Sequence, residues 1–249
     1  MISIVNVNEN WGIGCDGDLL VNIPEDMKFF RTATSGKTVI MGRKTLESFP
    51  GMKPLKGRIN IVMTGDPGRI KPESKEGADE VFIFDELDEA SRGLAAEHII
   101  KAALENEELT KKNAKASEKH TFLVIIKTKE EVLSLARLIS DAFKANEKAG
   151  CGSDEDAKHL HKQYSDEIFI IGGASIYSLF LQECDKCLVT VNDSKLEADT
   201  YYPCLDKADD WKLQEEGELQ TSESGLNYSF RTYIRINNWA ETDFIFNET

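Results

Sequence analysis

Apolar positions fall in short runs separated by polar, glycine-punctuated breaks. Ile2-Ser3-Ile4-Val5-Asn6-Val7 reads as an opening β-strand. Pro24 suits the first turn of a helix, where its missing N–H costs nothing. Met27, Phe30 and Arg31 then share a face at i, i+3, i+4 spacing, which predicts a helix to about Thr34. Thr38-Val39-Ile40-Met41 predicts a buried strand, Arg43 to Ser48 a short helix, and Arg58 to Met63 another strand. Far downstream, Ile168 to Ile171 predicts a strand, Gly172-Gly173 a break, and Ala174 to Glu183 a helix. A strand over Cys187–Val191 and a closing strand around Tyr228–Ile236 follow. Uninterrupted apolar strands between helices predict an α/β fold with a mostly parallel central sheet covered on both faces.

The middle of the chain, residues 67–165, is less regular. Val81-Phe82-Ile83-Phe84 precedes Asp85 to Ala90, and Phe122 to Ile126 precedes Thr128 to Glu131. Each reads as a strand feeding a helix. The second opens with a capping box, Thr128 and Glu131, and carries an apolar stripe at Val132, Leu135, Ala136, Ile139 and Phe143. The Ala/Glu/Lys-rich stretches 101–119 and 144–165 predict surface helix or mobile insert. Residues 237–249 form a tail whose Trp239, Phe244 and Phe246 either pack back or fray.

Composition narrows the function classes. The 249 residues carry 30 basic and 44 acidic side chains, a formal net charge of −14. That field repels phosphate backbones, so nucleic acid is not an expected partner. An anionic ligand requires a local basic pocket. The longest apolar runs are about six residues, too short to span a bilayer. The N-terminus lacks the basic start and long apolar core of a signal peptide. Five cysteines, an odd number, point to free thiols in a reducing cytoplasm.

Several motifs mimic known sites. Gly12-Ile13-Gly14-Cys15-Asp16-Gly17 satisfies G-x-G-x-x-G, but the dinucleotide fingerprint needs a helix opening at its last glycine. Ile23 precedes a proline and is held extended, so Asp18 to Ile23 form no helix. Gly36-Lys37-Thr38 resembles the end of a phosphate loop, yet Arg31 stands where its first glycine belongs. Cys184-Asp185-Lys186-Cys187 is a lone C-x-x-C and reads as core cysteines around a turn. His159-Leu160-His161, near Cys151 and Asp154, reads as solvated, and no metal is expected.

Three features carry chemistry. Asp26 falls in a helix's first turn beside Met27 and Phe30, so its carboxylate faces an apolar cleft. There it can hold an amidine-like heterocycle by two parallel hydrogen bonds. Met41-Gly42-Arg43-Lys44-Thr45 runs from a strand into a helix opened by two cations and a hydroxyl, an anion site suited to a phosphate. Ile171-Gly172-Gly173-Ala174-Ser175-Ile176 repeats the strand–glycine–helix arrangement and lets a pyrophosphate approach the backbone. Two such sites on one sheet suggest a dinucleotide with an additional phosphate, that is, NADP.

The segments Asn22 to Phe30, Val39 to Ser48 and Ile170 to Tyr177 together resemble the dihydrofolate reductase family, and Asp199-Thr200-Tyr201-Tyr202-Pro203 resembles the segment after its strand containing Thr190. The resemblance covers 1–66 and 166–236 and implies one domain over 1–249. It implies a mostly parallel sheet with an antiparallel C-terminal edge and an insertion within 67–165. It implies NADPH as cofactor, dihydrofolate as substrate, antifolates as inhibitors, and a cytoplasmic monomer. By resemblance, Asp26 binds the pterin and supports protonation of N5, and Thr190 hydrogen-bonds its carboxylate. Val5, Asn6, Met27, Phe30, Phe49, Leu55, Ile171 and Tyr177 line the substrate side, and Arg58 grips the glutamate tail's α-carboxylate. Arg43, Lys44, Thr45 and Thr64 match the 2′-phosphate and adenosine side, with Gly42 and Met63 adjoining. Gly172, Gly173, Ala174, Ser175, Ile176 and Tyr177 match the pyrophosphate and nicotinamide side, together with Asn6. Gly172-Gly173 matches a cis pair. Residues Gly14 to Leu20, with Ile13 and Leu19 contacting cofactor, match a mobile lid.

The chain departs from the family at three places. Leu20-Val21 replaces a Pro-Trp pair whose tryptophan helps place an ordered water near the acid. Asn6 stands where alanine is usual. Two strand–helix units, 81–90 and 122–143, compete for a place that compact members fill with one. The surplus is an interaction arm, an oligomer contact or a surface excursion, which costs little free energy. Two other functions stay open: a same-fold NADPH reductase of a riboflavin-pathway pyrimidine, or a catalytically weakened NADPH/folate-binding protein.

Overall fold

The computed structural model describes residues 1–86, 88–112, 120–149 and 166–236. Strand β1 (Ile2–Asn8) leads into a hairpin, β2 (Gly12–Cys15) and β3 (Asp18–Leu19), then helix α1 (Pro24–Thr34). Next come β4 (Thr38–Gly42), α2 (Arg43–Ser48) and β5 (Ile59–Met63). The middle region supplies α3 (Pro72–Glu76), β6 (Glu80–Ile83), α4 (Glu89–Lys112), β7 (Phe122–Ile126) and α5 (Lys129–Ala149). Strand β8 (Ile168–Ile170), α6 (Ala174–Phe180), β9 (Lys186–Asn192), β10 (Thr200–Tyr201), β11 (Trp211–Glu216), β12 (Gln220–Thr221) and β13 (Asn227–Arg235) complete the order.

The main sheet runs β11-β13-β9-β1-β8-β4-β5-β7-β6, with β12 beside β13. From β9 to β6 every pairing is parallel, while β13 joins β9 and β11 joins β13 antiparallel. The α/β expectation with an antiparallel C-terminal edge therefore holds. Alternation distributes side chains to two cores. Val5, Ile40, Ile61, Val124 and Ile170 enter the one that α4, α5 and α6 cover. Ile4, Met41, Val62, Ile125 and Ile171 enter the other, where Phe29, Phe30 and Leu46 pack. Strands buried on both faces lose the polar alternation of a half-exposed sheet, so they read as continuous apolar runs.

In the middle region both predicted strand–helix units form. β7 pairs with β5 over five positions, from Ile59↔Phe122 to Met63↔Ile126, and β6 takes the edge beyond it. The predicted stripe on α5 is buried throughout. Its capping box closes in both directions: the Glu131 N–H donates to Thr128 Oγ1, and the Thr128 N–H donates to the Glu131 carboxylate, each at 3.3 Å.

Some expectations need correction. The glycine-punctuated break from Gly12 onward, including most of the expected lid, is a hairpin, β2–β3, in a small sheet with β10. Asp16 and Gly17 turn it with φ of 55° and 88°, the left-handed values such two-residue turns require. Gly12 is needed for packing, since a Cβ there would lie 2.5 Å from Ala198 Cβ. The helix expected to reach Glu183 ends at Phe180 and tightens to a 3-10 turn at Leu181–Glu183. β11, an edge strand exposed after Trp211, carries mostly charged or polar side chains and has no apolar signature. Residues 101–112 are helical. The rest of that polar stretch, residues 150–165 with Cys151, His159 and His161, and the tail from 237 fall outside the described residues.

Candidate active site

The sheet parts at one place. β1 pairs with β8 only at Ile2↔Phe169 and Ser3↔Ile170, then continues beside β9 to Asn8. The β8 side stays with β4, as the Ile171 N–H donates to the Ile40 carbonyl and the Gly42 N–H donates to the Gly172 carbonyl. The opening lies at the C-terminal ends of parallel strands, where ligands of such sheets bind. A cavity of about 400 Å³ occupies it.

Asp26 enters this cavity from the first turn of α1. Pro24 opens that helix and Ile23 gives it no side-chain cap. The neighbouring Glu25 turns the other way: its carboxylate accepts from Ser222 Oγ at 2.8 Å and from the Glu223 N–H at 3.2 Å. Asp26 shares the cavity wall with Val5, Met27, Phe30, Phe49 and Ile171. Thr190 Oγ1 donates to Asp26 Oδ1 at 2.5 Å, and Asn6 Nδ2 donates to Oδ2 at 2.9 Å. Burial in this apolar wall raises the carboxyl pKa above the usual range, against the lowering effect of the two donors. Tyr177 also reaches the cavity, with its hydroxyl donated to the Ile4 carbonyl at 2.8 Å.

Of the residues expected on the substrate side, Val5, Asn6, Met27, Phe30, Phe49, Ile171 and Tyr177 line the cavity, and Thr190 touches it through Asp26. Leu55 and Arg58 stand outside that lining. Leu55 packs on the core, with its backbone held by the Asn60 amide at 2.9 Å. Arg58 ties α1 to the loop before β5: Nε donates to Thr34 Oγ1 at 3.0 Å, Nη1 to the Lys56 carbonyl at 2.7 Å and Nη2 to the Arg31 carbonyl at 3.1 Å. Burial pulls its pKa down to about 10, so it stays cationic at neutral pH.

On the other side, Ile13, Leu19 and Thr45 line the cavity, while Gly14, Gly42, Arg43, Lys44, Met63, Thr64 and Gly172 to Ile176 do not. Gly42 and Gly173 are the N-caps of α2 and α6, and neither helix start is capped by a side chain. Gly172-Gly173 is a cis peptide, and Gly172 has φ +112°, where a Cβ would meet the Tyr177 ring at 3.1 Å. Arg43 is engaged by the Glu47 carboxylate at 2.6 and 2.7 Å. Thr64 Oγ1 donates to the Asp66 carbonyl at 3.2 Å.

Asp18 and Leu20 of the expected lid and Val21 also line the cavity, and the structure adds Ile4, Gly12, Asn22, Ser48, Pro50 and Asn192. Period-two alternation carried a usable signal for two of them. Ile4 shares Asn6's face of β1, and Asn192 shares Thr190's face of β9. The C-x-x-C reading as core holds: burial pushes the Cys184 and Cys187 thiols up to about 12, which leaves them unreactive.

A family model described as dihydrofolate reductase matches residues 1–104 and 132–235. The chain belongs to the dihydrofolate reductase family. Dihydrofolate reductase from Neisseria meningitidis serogroup A is 28% identical over 227 residues, covering 91% of this chain and 93% of that protein. The Schistosoma mansoni dihydrofolate reductase is 50% identical over 68 residues, covering 24% of this chain and 37% of that protein. The solved structure of dihydrofolate reductase from Enterococcus faecalis, complexed with NADP(H) and RAB-propyl, shares the fold. Its TM-score is 0.54 at 19% identity, covering 95% of this chain and 96% of that one. The stretch between the two matched blocks, 105–131, contains β7. The unmatched stretch therefore includes a strand built into the sheet.

Proposed function

We propose that this chain reduces 7,8-dihydrofolate to 5,6,7,8-tetrahydrofolate at the expense of NADPH and so feeds one-carbon metabolism. The observation that carries this reading is the Asp26 carboxyl: half-buried, walled by Met27, Phe30 and Phe49, and braced by Asn6 and Thr190. A carboxylate so placed accepts two parallel N–H groups from a pterin's amino and ring nitrogens. Because burial raises its pKa, the neutral acid persists to higher pH than it would in water, as a proton source for N5. Val5, Ile171 and Tyr177 complete the substrate wall. Arg58, with Leu55 beside its loop, takes the α-carboxylate of the glutamate tail.

The residues present suit NADPH. Gly42 and Gly173 leave two helix starts without side-chain caps, and Gly172 has a backbone conformation that L side chains rarely adopt. Gly172 to Ile176 would hold the pyrophosphate and nicotinamide side, with Ile13, Gly14, Leu19 and Asn6 over it. Arg43, Lys44, Thr45, Met63 and Thr64 would hold the adenosine side and its 2′-phosphate. Bound there, NADPH supplies a hydride to C6 of dihydrofolate. The protein aligns the two rings and excludes water. Diaminopyrimidine and pteridine antifolates present the same N–H fork to Asp26.

The test is NADPH oxidation followed by absorbance with and without dihydrofolate. Dihydrofolate-dependent oxidation, stopped by a diaminopyrimidine antifolate, is expected. Tight NADPH binding with no turnover of dihydrofolate would overturn the reading.

A further inference from the structure

We propose that Asn6 and Asn192 form a positioning clamp, in which backbone groups of β1 and β9 fix the direction of the Asn6 amide so that it always donates to Asp26. Asn192 is 2% exposed, and its amide has no freedom. Its Nδ2 donates to the Val7 carbonyl at 2.9 Å, and its Oδ1 accepts from the Ser194 N–H at 3.0 Å. A carbonyl only accepts and an N–H only donates, so this assignment admits no flip. The second proton on Nδ2 then meets Asn6 Oδ1 at 2.7 Å. With its oxygen so taken, Asn6 can turn only its NH2 toward Asp26 Oδ2, 2.9 Å away.

The chain Val7–Asn192–Asn6–Asp26 therefore transmits the polarity of a β-strand backbone to the carboxylate. Thr190 Oγ1 meets the other oxygen, so each carboxylate oxygen carries one protein donor and keeps acceptor capacity for one ligand N–H. Without Asn192 the Asn6 amide could turn over and set its oxygen against the carboxylate. The two donors lower the Asp26 pKa against the larger upward push of desolvation, and the clamp fixes the plane in which a forked ligand docks.

Other titratable groups face Asp26. Tyr177 on α6 and Tyr228 on β13 have their ionisation pushed up by burial and stay neutral. Glu25, next to it on α1, turns away and is held low first by its own backbone N–H and then by the Ser222 and Glu223 bonds. Asp18 lies on the exposed hairpin at the cavity rim. None of them touches the amide pair.

This deepens the reading of Asp26 as the substrate-binding acid and rests on it only for the identity of the ligand. The experiment is a ¹³C NMR titration of the aspartate carboxyls in the full chain without substrate, with Asp26 assigned by Asp26→Asn. Asn6→Ala and Asn192→Leu are each expected to raise the Asp26 pKa by about one unit, a tenfold change in its ionised-to-neutral ratio. The double variant should go no further than Asn6→Ala alone. The pKa seen in the pH–rate profile should move upward with it. An unchanged Asp26 titration in Asn6→Ala, which leaves both backbone bonds of Asn192 intact, overturns the clamp. Absence of dihydrofolate turnover in the parent chain would instead overturn the functional reading and leave the titration result standing.

Discussion

Asp26 and Arg58 show how burial sets the chemistry of a charged group by what surrounds it. Asp26 has two neutral donors and apolar walls, so desolvation wins and its pKa rises. Arg58 has three uncharged oxygen acceptors and no carboxylate within the bonds it makes, and burial pulls it down to about 10 without discharging it. An arginine held by a threonine hydroxyl and two carbonyls keeps a planar fork directed by the fold. If that fork takes a ligand carboxylate, Arg58→Lys should raise KM for dihydrofolate by about 10- to 100-fold and leave kcat nearly unchanged. Steady-state kinetics over both substrates checks this, and an equal loss in kcat would place Arg58 elsewhere in the mechanism.

The middle of the chain is a packed layer. β7 is fully buried, and α5 sends Val132, Leu135, Ala136, Ile139 and Phe143 into the core under it. Ile139→Ala should cost about 2–5 kcal/mol in urea denaturation while leaving kcat per folded molecule intact. A loss below about 1 kcal/mol would mean that the helix is dispensable. The α5 stripe, its capping box and the buried strands were legible because each rests on local spacing. The hairpin at Gly12–Leu19 was not, because four- and two-residue strands that carry glycine and aspartate have no periodicity to read. β11 was hidden for the converse reason: an edge strand with Lys212, Gln214, Glu215 and Glu216 exposed looks like a loop in sequence.

The cavity exists because β1 and β8 separate after two paired positions, and that is a property of the assembled sheet. Asp26, Thr190 and Asn6 lie up to 184 residues apart, yet one carboxylate gathers them. Family resemblance located Asp26 and Thr190 in sequence. It was silent on Asn192, whose role depends on which atoms of β1 it meets across the ladder. The net charge of −14 leaves any anionic ligand to depend on local cations and free helix starts. The most direct test of a proton-supplying acid in this cleft is the pH dependence of kcat for the parent chain and Asp26→Asn. Because burial raises the Asp26 pKa, the neutral acid persists to higher pH than in water, and turnover should fall as pH climbs through that raised value. Asp26→Asn should lose about 10²- to 10⁴-fold near neutrality, with the deficit narrowing in acid as the medium protonates N5 directly. A variant with the parent rate and the parent pH profile would contradict the role of Asp26.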